Sequence, residues 1–142
     1  MNFPFQTVVN DESETKKVAE DFSLLLKAGD KILLNGELGT GKTFFVKCVC
    51  SAYKINAVSS PSFSIVNEYT NHHKIYHFDF YRIKKTVELY DIGFEDYMND
   101  NNAIVFIEWA ELIPEVLPEK CYTVFLKYID ENKREILIKK NN

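Results

Sequence analysis

Residues 31–50 read KILLNGELGTGKTFFVKCVC, and the fold turns on how this stretch is parsed. Gly36, Gly41, Lys42 and Thr43 satisfy G-x-x-x-x-G-K-[ST], the spacing of a phosphate-binding loop. Glycines let such a backbone wrap an anion with several N–H groups pointing inward, and Gly39 eases the turn further. A helix starting at the loop adds the positive end of its dipole. The motif needs a strand before it and a helix after it. Lys31 to Asn35 reads as that strand and residues 42–53 as that helix. The run Glu37, Leu38, Gly39, Thr40, Gly41, Lys42, Thr43 and Phe44 is therefore the expected nucleotide site. Lys42 is expected to reach the β- and γ-phosphates, and the Thr43 hydroxyl to ligate Mg²⁺.

Upstream, Asp11 predicts a helix N-cap, with Glu14 three residues on in the manner of a capping box. Val18, Phe22, Leu25 and Leu26 then share one helical face, and Ala28-Gly29-Asp30 ends the helix. Downstream, Val58 reads as closing a short strand that Pro61 breaks. Ser64 to Thr70 and Lys74 to Tyr81 form an expected antiparallel hairpin around Asn71-His72-His73. Tyr76, Phe78 and Phe80 share one face of it, and Ile75, His77, Asp79 and Tyr81 the other. Val87 to Tyr90 and Phe94 to Met98 read as short helical turns around Gly93. Residues 103–107, AIVFI, are apolar on both faces, as in a buried parallel strand. Pro114 and Pro118 punctuate a loop, and Tyr122 to Tyr128 with Arg134 to Lys139 form a last hairpin around DENK. The order predicts one α/β domain over residues 1–142, with a parallel core, antiparallel hairpin additions and helices on both faces.

The bulk numbers narrow the function. With 46% hydrophobic residues in 142, the chain can bury one good core and is not disordered. A net charge of −4 argues against gripping nucleic acid by a broad basic face. It leaves room for joining a larger complex that does. No apolar run approaches the length of a membrane span, and MNFPFQTVVNDESE lacks the build of a signal peptide, so the cytosol is expected. Cys48, Cys50 and Cys121 are odd in number, lack zinc spacing and read as buried reduced thiols.

Ligands of open α/β sheets sit beyond the carboxyl ends of parallel strands. The loop follows one such end and Glu108 follows another. An apolar run closed by an acid is the Walker-B pattern, so Glu108 can hold Mg²⁺ or orient the attacking water. Asp79, on the polar face of its strand, is a second candidate for Mg²⁺ or its water shell. Ser60, Ser62 and Ser64 offer hydroxyls in a segment with little to bury, suited to ordering by a partner. His77 is given no role, His72 and His73 read as turn residues, and Trp109 reads as a stacking or core aromatic. The lysines at 127, 133, 139 and 140 read as a solvated face.

GELGTGKT, SSPSFSIVNEY, YHFDFYRI, ELYDIGFEDYM and IEWAE occur here in the order they take in the TsaE family, formerly YjeE. The chain resembles that family over roughly residues 10–120. The resemblance implies a phosphate-loop ATPase of bacterial tRNA threonylcarbamoyladenosine synthesis, using ATP and Mg²⁺. It implies TsaD and TsaB as partners, which transfer threonylcarbamoyl to adenosine 37 of tRNA, with ATP hydrolysis resetting the complex. Contact with tRNA is then indirect, through the complex. The family's switch-like segment matches Ser60 to Phe63, its acidic Mg²⁺ position Asp79, and its Glu-Trp pair Glu108-Trp109. Thr15 falls where the family often has Thr near the base. Two departures stand out: Ser62 where the family usually has Thr, which keeps the hydroxyl, and Ala110 where it often has Pro. Glu108 and Lys42 are the expected catalytic residues. Thr43, Asp79 and Glu108 are expected at the metal, and Thr15, Ser62 and Trp109 join the loop around the nucleotide.

Two other classes compete. A small-molecule kinase needs fixed cations around the transferring phosphoryl group, usually an Arg-rich lid. This chain has two arginines. Arg82 lies three residues past Asp79, and Arg134 is expected in a distant hairpin. A GTPase would call for N-K-x-D, and NKRE at 132–135 has Glu in place of Asp and falls in a turn. A nucleotide-binding module without turnover stays open, because hydrolysis cannot be read from the loop.

Overall fold

The computed structural model describes residues 1–61 and 64–142. Its elements are β1 (Phe5–Val9), α1 (Glu12–Ser23), β2 (Lys31–Asn35), α2 (Lys42–Ala52), β3 (Val66–Asn71), β4 (His73–Asp79), α3 (Val87–Asp91), α4 (Phe94–Met98), β5 (Ala103–Glu108), β6 (Cys121–Tyr128) and β7 (Arg134–Asn141). They build a seven-stranded sheet in the order β1-β7-β6-β2-β5-β4-β3. The four central strands run parallel, with β2 between β6 and β5, and β4 beyond β5. β3 closes one edge antiparallel to β4, while β7 and β1 extend the other antiparallel.

Both faces are covered. On one, Val18, Ala19 and Phe22 of α1 and Phe45, Val46 and Val49 of α2 pack onto Ile32, Leu34, Phe106 and Val124 of the sheet. On the other, Leu89 of α3 and Phe94 of α4 pack onto Leu33, Tyr76, Phe78, Val105 and Ile107. Alternation along each strand assigns these faces. β5 is buried at all six positions, which is why it reads as a continuous apolar run.

Asp11 caps α1, its Oδ1 accepting from Glu14 N–H at 2.9 Å, while Glu14 Oε1 accepts from Asn10 N–H at 3.1 Å. The helix stops at Ser23, short of Leu25 and Leu26, and Leu24 is 84% exposed. The Tyr53 hydroxyl from beyond α2 donates to Ser23 O at 2.7 Å and satisfies a carbonyl at that end. Other boundaries shift too. Val58 is buried in the core but belongs to no strand. β3 starts at Val66, after Ile65 at φ 67°, and β4 runs from His73 to Asp79 rather than from Lys74 to Tyr81. β1 has no counterpart in the reading of the sequence: five residues with mixed exposure become a strand by pairing with β7. The three cysteines are buried free thiols, and burial pushes Cys50 up to about 12. Lys127, Lys133, Lys139 and Lys140 are exposed. Among the described residues, no helix is long and apolar enough to cross a membrane.

Candidate functional site

β2 delivers its chain into the loop at the carboxyl end of the parallel strands. There β5 pairs in register with both neighbours, Glu108 opposite Leu34 on one side and opposite Asp79 on the other. The two acids sequence reasoning singled out are therefore adjacent at one sheet edge. The loop takes left-handed backbone at Gly39 (φ 79°) and Gly41 (φ 98°), where a side chain would be strained. Gly41 is the N-cap of α2 and supplies no side-chain cap, so the first-turn N–H groups stay available to an anion.

Lys42 is buried, its Nζ donating to Gly36 O at 2.5 Å and to Glu37 O at 2.9 Å, and lying 3.9 Å from the centre of the Trp109 ring. Burial pulls the Lys42 ammonium below its usual range, with the charges of Glu108, Glu111 and Asp79 opposing that pull. The Thr43 hydroxyl lies 2.8 Å from Glu108 Oε1 and 2.9 Å from Oε2. Asp79 Oδ1 accepts from Tyr81 N–H at 2.9 Å and Oδ2 from the Ser60 hydroxyl at 3.2 Å. Burial raises the Asp79 carboxyl above its ordinary value, and the neighbouring Glu108 charge adds to the rise. Trp109 turns the chain sharply out of β5 at φ 58°, a left-handed conformation that a non-glycine residue adopts at a cost. Its ring packs on Tyr81 with centroids 4.8 Å apart.

Two hollows flank the loop. One, of about 450 Å³, is lined by Leu38, Lys42, Thr43, Ser60, Asp79, Arg82, Glu108 and Trp109. The other, of about 480 Å³, is lined by Asp11, Thr15, Thr40, Asn132 and Arg134. Gly39, Gly41 and Phe44 line both. Thr15 thus faces a different hollow from the acids. Glu37 and Leu38 are exposed, and Glu37 acts through its carbonyl, which also accepts from the Thr40 hydroxyl at 2.9 Å. Ser62 lies outside the described residues. Near it, Val58 and Pro61 are buried while Ser59, Ser60 and Ser64 are exposed, so the segment buries more than its serines suggest.

Arg134 is not distant. The parallel pairing of β6 with β2 carries the C-terminal hairpin beside the loop, and Arg134 Nη2 comes 3.5 Å from Gly39 O. Its guanidinium also lies over the Tyr128 ring, 4.7 Å away. Nothing in the local sequence announces this, since the pairing joins residues 95 apart. His77 is the other residue whose position the sequence reading leaves idle: it is fully buried with Nε2 2.5 Å from Glu108 Oε2. Its place on the Asp79 face was legible, but not its partner.

The donor set suits a hard cation. Thr43, Asp79 and Glu108 offer oxygen alone, as Mg²⁺ prefers. Among the described residues no three His, Cys, Asp or Glu side chains form a ready cluster.

The family model described as "Threonylcarbamoyl adenosine biosynthesis protein TsaE" matches residues 9–136. The chain belongs to the TsaE family. Relatives named tRNA threonylcarbamoyladenosine biosynthesis protein TsaE include one from Rickettsia typhi, 43% identical and aligned over 94% of both chains. Another, from Bacillus subtilis, is 37% identical over 90% of this chain and 80% of its own. The TsaE protein of Aquifex aeolicus is 35% identical over 94% of both. Among solved structures, the crystal structure of Bacillus subtilis YdiB superposes with a TM-score of 0.80 at 28% identity. It covers 97% of this chain and 86% of YdiB. The chain's seven-stranded sheet with its parallel core thus has the fold of a solved protein.

Proposed function

We propose that this chain binds ATP across the two hollows and hydrolyses it as the ATPase of tRNA threonylcarbamoyladenosine formation, acting with TsaD and TsaB in the cytoplasm. The observation that carries the reading is the meeting of the loop with the acid: the Thr43 hydroxyl sits on the Glu108 carboxylate while Lys42 is buried beside it. In this reading the loop N–H groups and Lys42 hold the phosphates. Lys42 exchanges the neutral carbonyls of Gly36 and Glu37 for anionic phosphate oxygens, which hold an ammonium more strongly. The hollow beside Thr15 and Arg134 takes the base end. Thr43, Asp79 and Glu108 would hold Mg²⁺, which supplies neutralisation of charge building on the phosphoryl oxygens. Glu108, at the strand end nearest the loop, orients the attacking water, and Trp109 shields Lys42 from bulk solvent.

The site is short of cations. Among the described residues, Lys42 and Arg82 are the cations lining the hollow with the acids, and Arg134 lines the other, against a triphosphate whose charge would build during transfer. An added cation or an ordered loop is worth roughly 10³–10⁵ in rate in nucleotide hydrolases. The chain alone is therefore a slow ATPase that its partners complete. The test is steady-state hydrolysis by the chain alone and with saturating TsaD–TsaB pair. A clear rise, lowered by about two orders of magnitude in Glu108→Gln while ATP binding persists, is the expected result. A high rate that the pair leaves unchanged overturns the partner dependence. Rapid phosphate transfer to a nucleoside or sugar overturns the ATPase reading in favour of a kinase.

A further inference from the structure

His77 has two polar ring atoms and no exposed surface, so each nitrogen needs a partner within the protein. Nε2 faces Glu108 Oε2 at 2.5 Å. A carboxylate only accepts, so Nε2 is the donor. Nδ1 lies 3.5 Å from the hydroxyl of Tyr69 on β3. A hydroxyl has one proton and two lone pairs: this one accepts from Ser59 N–H at 3.2 Å, and its proton is shared between Ser59 O at 3.0 Å and Nδ1. Asn67 Nδ2 braces the same pair, 3.2 Å from Ser59 O and 3.3 Å from the Tyr69 hydroxyl.

Packing alone does not call for an imidazole at this position. Ile75 two residues before it and Phe106 opposite it on β5 are both fully buried and apolar. A polar ring among them is costly unless its atoms are satisfied, and what satisfies Nε2 is the acid. The geometry at Glu108 supplies the reason. The Thr43 hydroxyl is within bonding distance of both carboxylate oxygens but has one proton to give. Without a second donor the carboxylate can rotate between them. With Oε2 taken by His77, Oε1 is the oxygen left for Thr43 and the loop.

We propose that His77 is the positioning residue for Glu108. It fixes the carboxylate by holding Oε2, and is braced in turn through Tyr69 against the backbone of Ser59. The proposal rests on the reading of Glu108 as the acid of an ATP site. It also gives the segment carrying Ser59 and Ser60 two links to the acids, one through Tyr69 and His77 to Glu108 and one from Ser60 to Asp79.

His77→Phe keeps a flat ring and removes both nitrogens, while His77→Gln keeps a donor at similar reach. With folding checked by thermal melts, His77→Phe should bind ATP and Mg²⁺ within about threefold of the parent but lose kcat by about tenfold or more. His77→Gln should recover most of that loss. A folded His77→Phe with the parental kcat overturns the proposal, as does a His77→Gln as slow as the Phe variant. A second measurement does not depend on turnover. In imidazole ¹⁵N spectra of the full chain without nucleotide, Glu108→Gln should shift the His77 ring resonances, and unchanged resonances overturn the contact. If His77→Phe fails to fold, Tyr69→Phe takes its place: shifted His77 resonances with a lower kcat support the brace, and no change in either overturns it. A parent that hydrolyses no ATP, alone or with the pair, defeats the ATPase reading, and the ring spectrum still decides the contact.

Discussion

A Cβ on Gly36 would lie 2.6 Å from the Leu126 carbonyl oxygen and 2.6 Å from the Thr40 hydroxyl. The carbonyl belongs to β6 and cannot swing away as a side-chain end can. At this residue the requirement is space, because the loop passes directly over a neighbouring strand. At Gly39 and Gly41 the space is open and the requirement is the backbone angle. Gly36→Ala should therefore destabilise by overpacking, by about 1–3 kcal/mol, and displace the loop. Urea unfolding and ATP calorimetry check it, with both a lower midpoint and weaker binding expected. Unchanged values in both would mean that β6 yields without cost. His77 illustrates the opposite limit of legibility at this scale. Period two placed it beside Asp79, but the bond to Glu108 exists only because β4 lies against β5.

Among the elements, the junction from α4 into β5 is tied to β4 through one carboxylate. Asp100 Oδ2 accepts from Lys74 Nζ and the Tyr76 hydroxyl, each at 2.6 Å, and Oδ1 accepts from Asn102 N–H at 3.0 Å. Lys74 first, then Tyr76 and Asn102, hold the Asp100 carboxyl down at about 2. An unfolded aspartate titrates near 3.9. The folded value is the lower one, so the stabilisation is complete above about pH 4 and fades as the pH falls towards about 2. Asp100→Asn should melt earlier than the parent at neutral pH, and the gap should close between about pH 4 and pH 2. Melting curves across that range check it, and a gap that widens in acid would refute the assignment. The tie lies on the strand pair that carries Asp79 and Glu108, at the end away from the two acids.

Across the whole molecule, the face bearing α1 and α2 holds the loop against the sheet. Phe22 is fully buried between Phe45 of α2 and Tyr122 of β6, with ring centroids 6.1 and 5.2 Å away. It joins the helix that follows the loop to the strand that flanks it. Phe22→Ala should cost about 3–5 kcal/mol, as for other buried aromatics cut to alanine. Denaturant unfolding checks this through a lower midpoint at unchanged slope. A loss under about 1 kcal/mol would show that the two helices collapse into the gap.

By itself the sequence determined the loop, its flanking strand and helix, the acid closing β5 and the α/β class. Each of these follows from local rules: glycine spacing, a cap three residues from its partner, a run apolar on both faces. The hairpins were legible for the same reason, since turn residues separate the strands they join. Only the tertiary structure decided which strands became neighbours. β6 lies parallel to β2, which brings Arg134 to Gly39; β7 recruits Phe5–Val9 as a strand; and β4 beside β5 joins His77 to Glu108. The physical reason is that a strand's pairing energy comes from hydrogen bonds and packing with a partner distant along the chain. A residue type at one position carries no record of that partner until the sheet has formed.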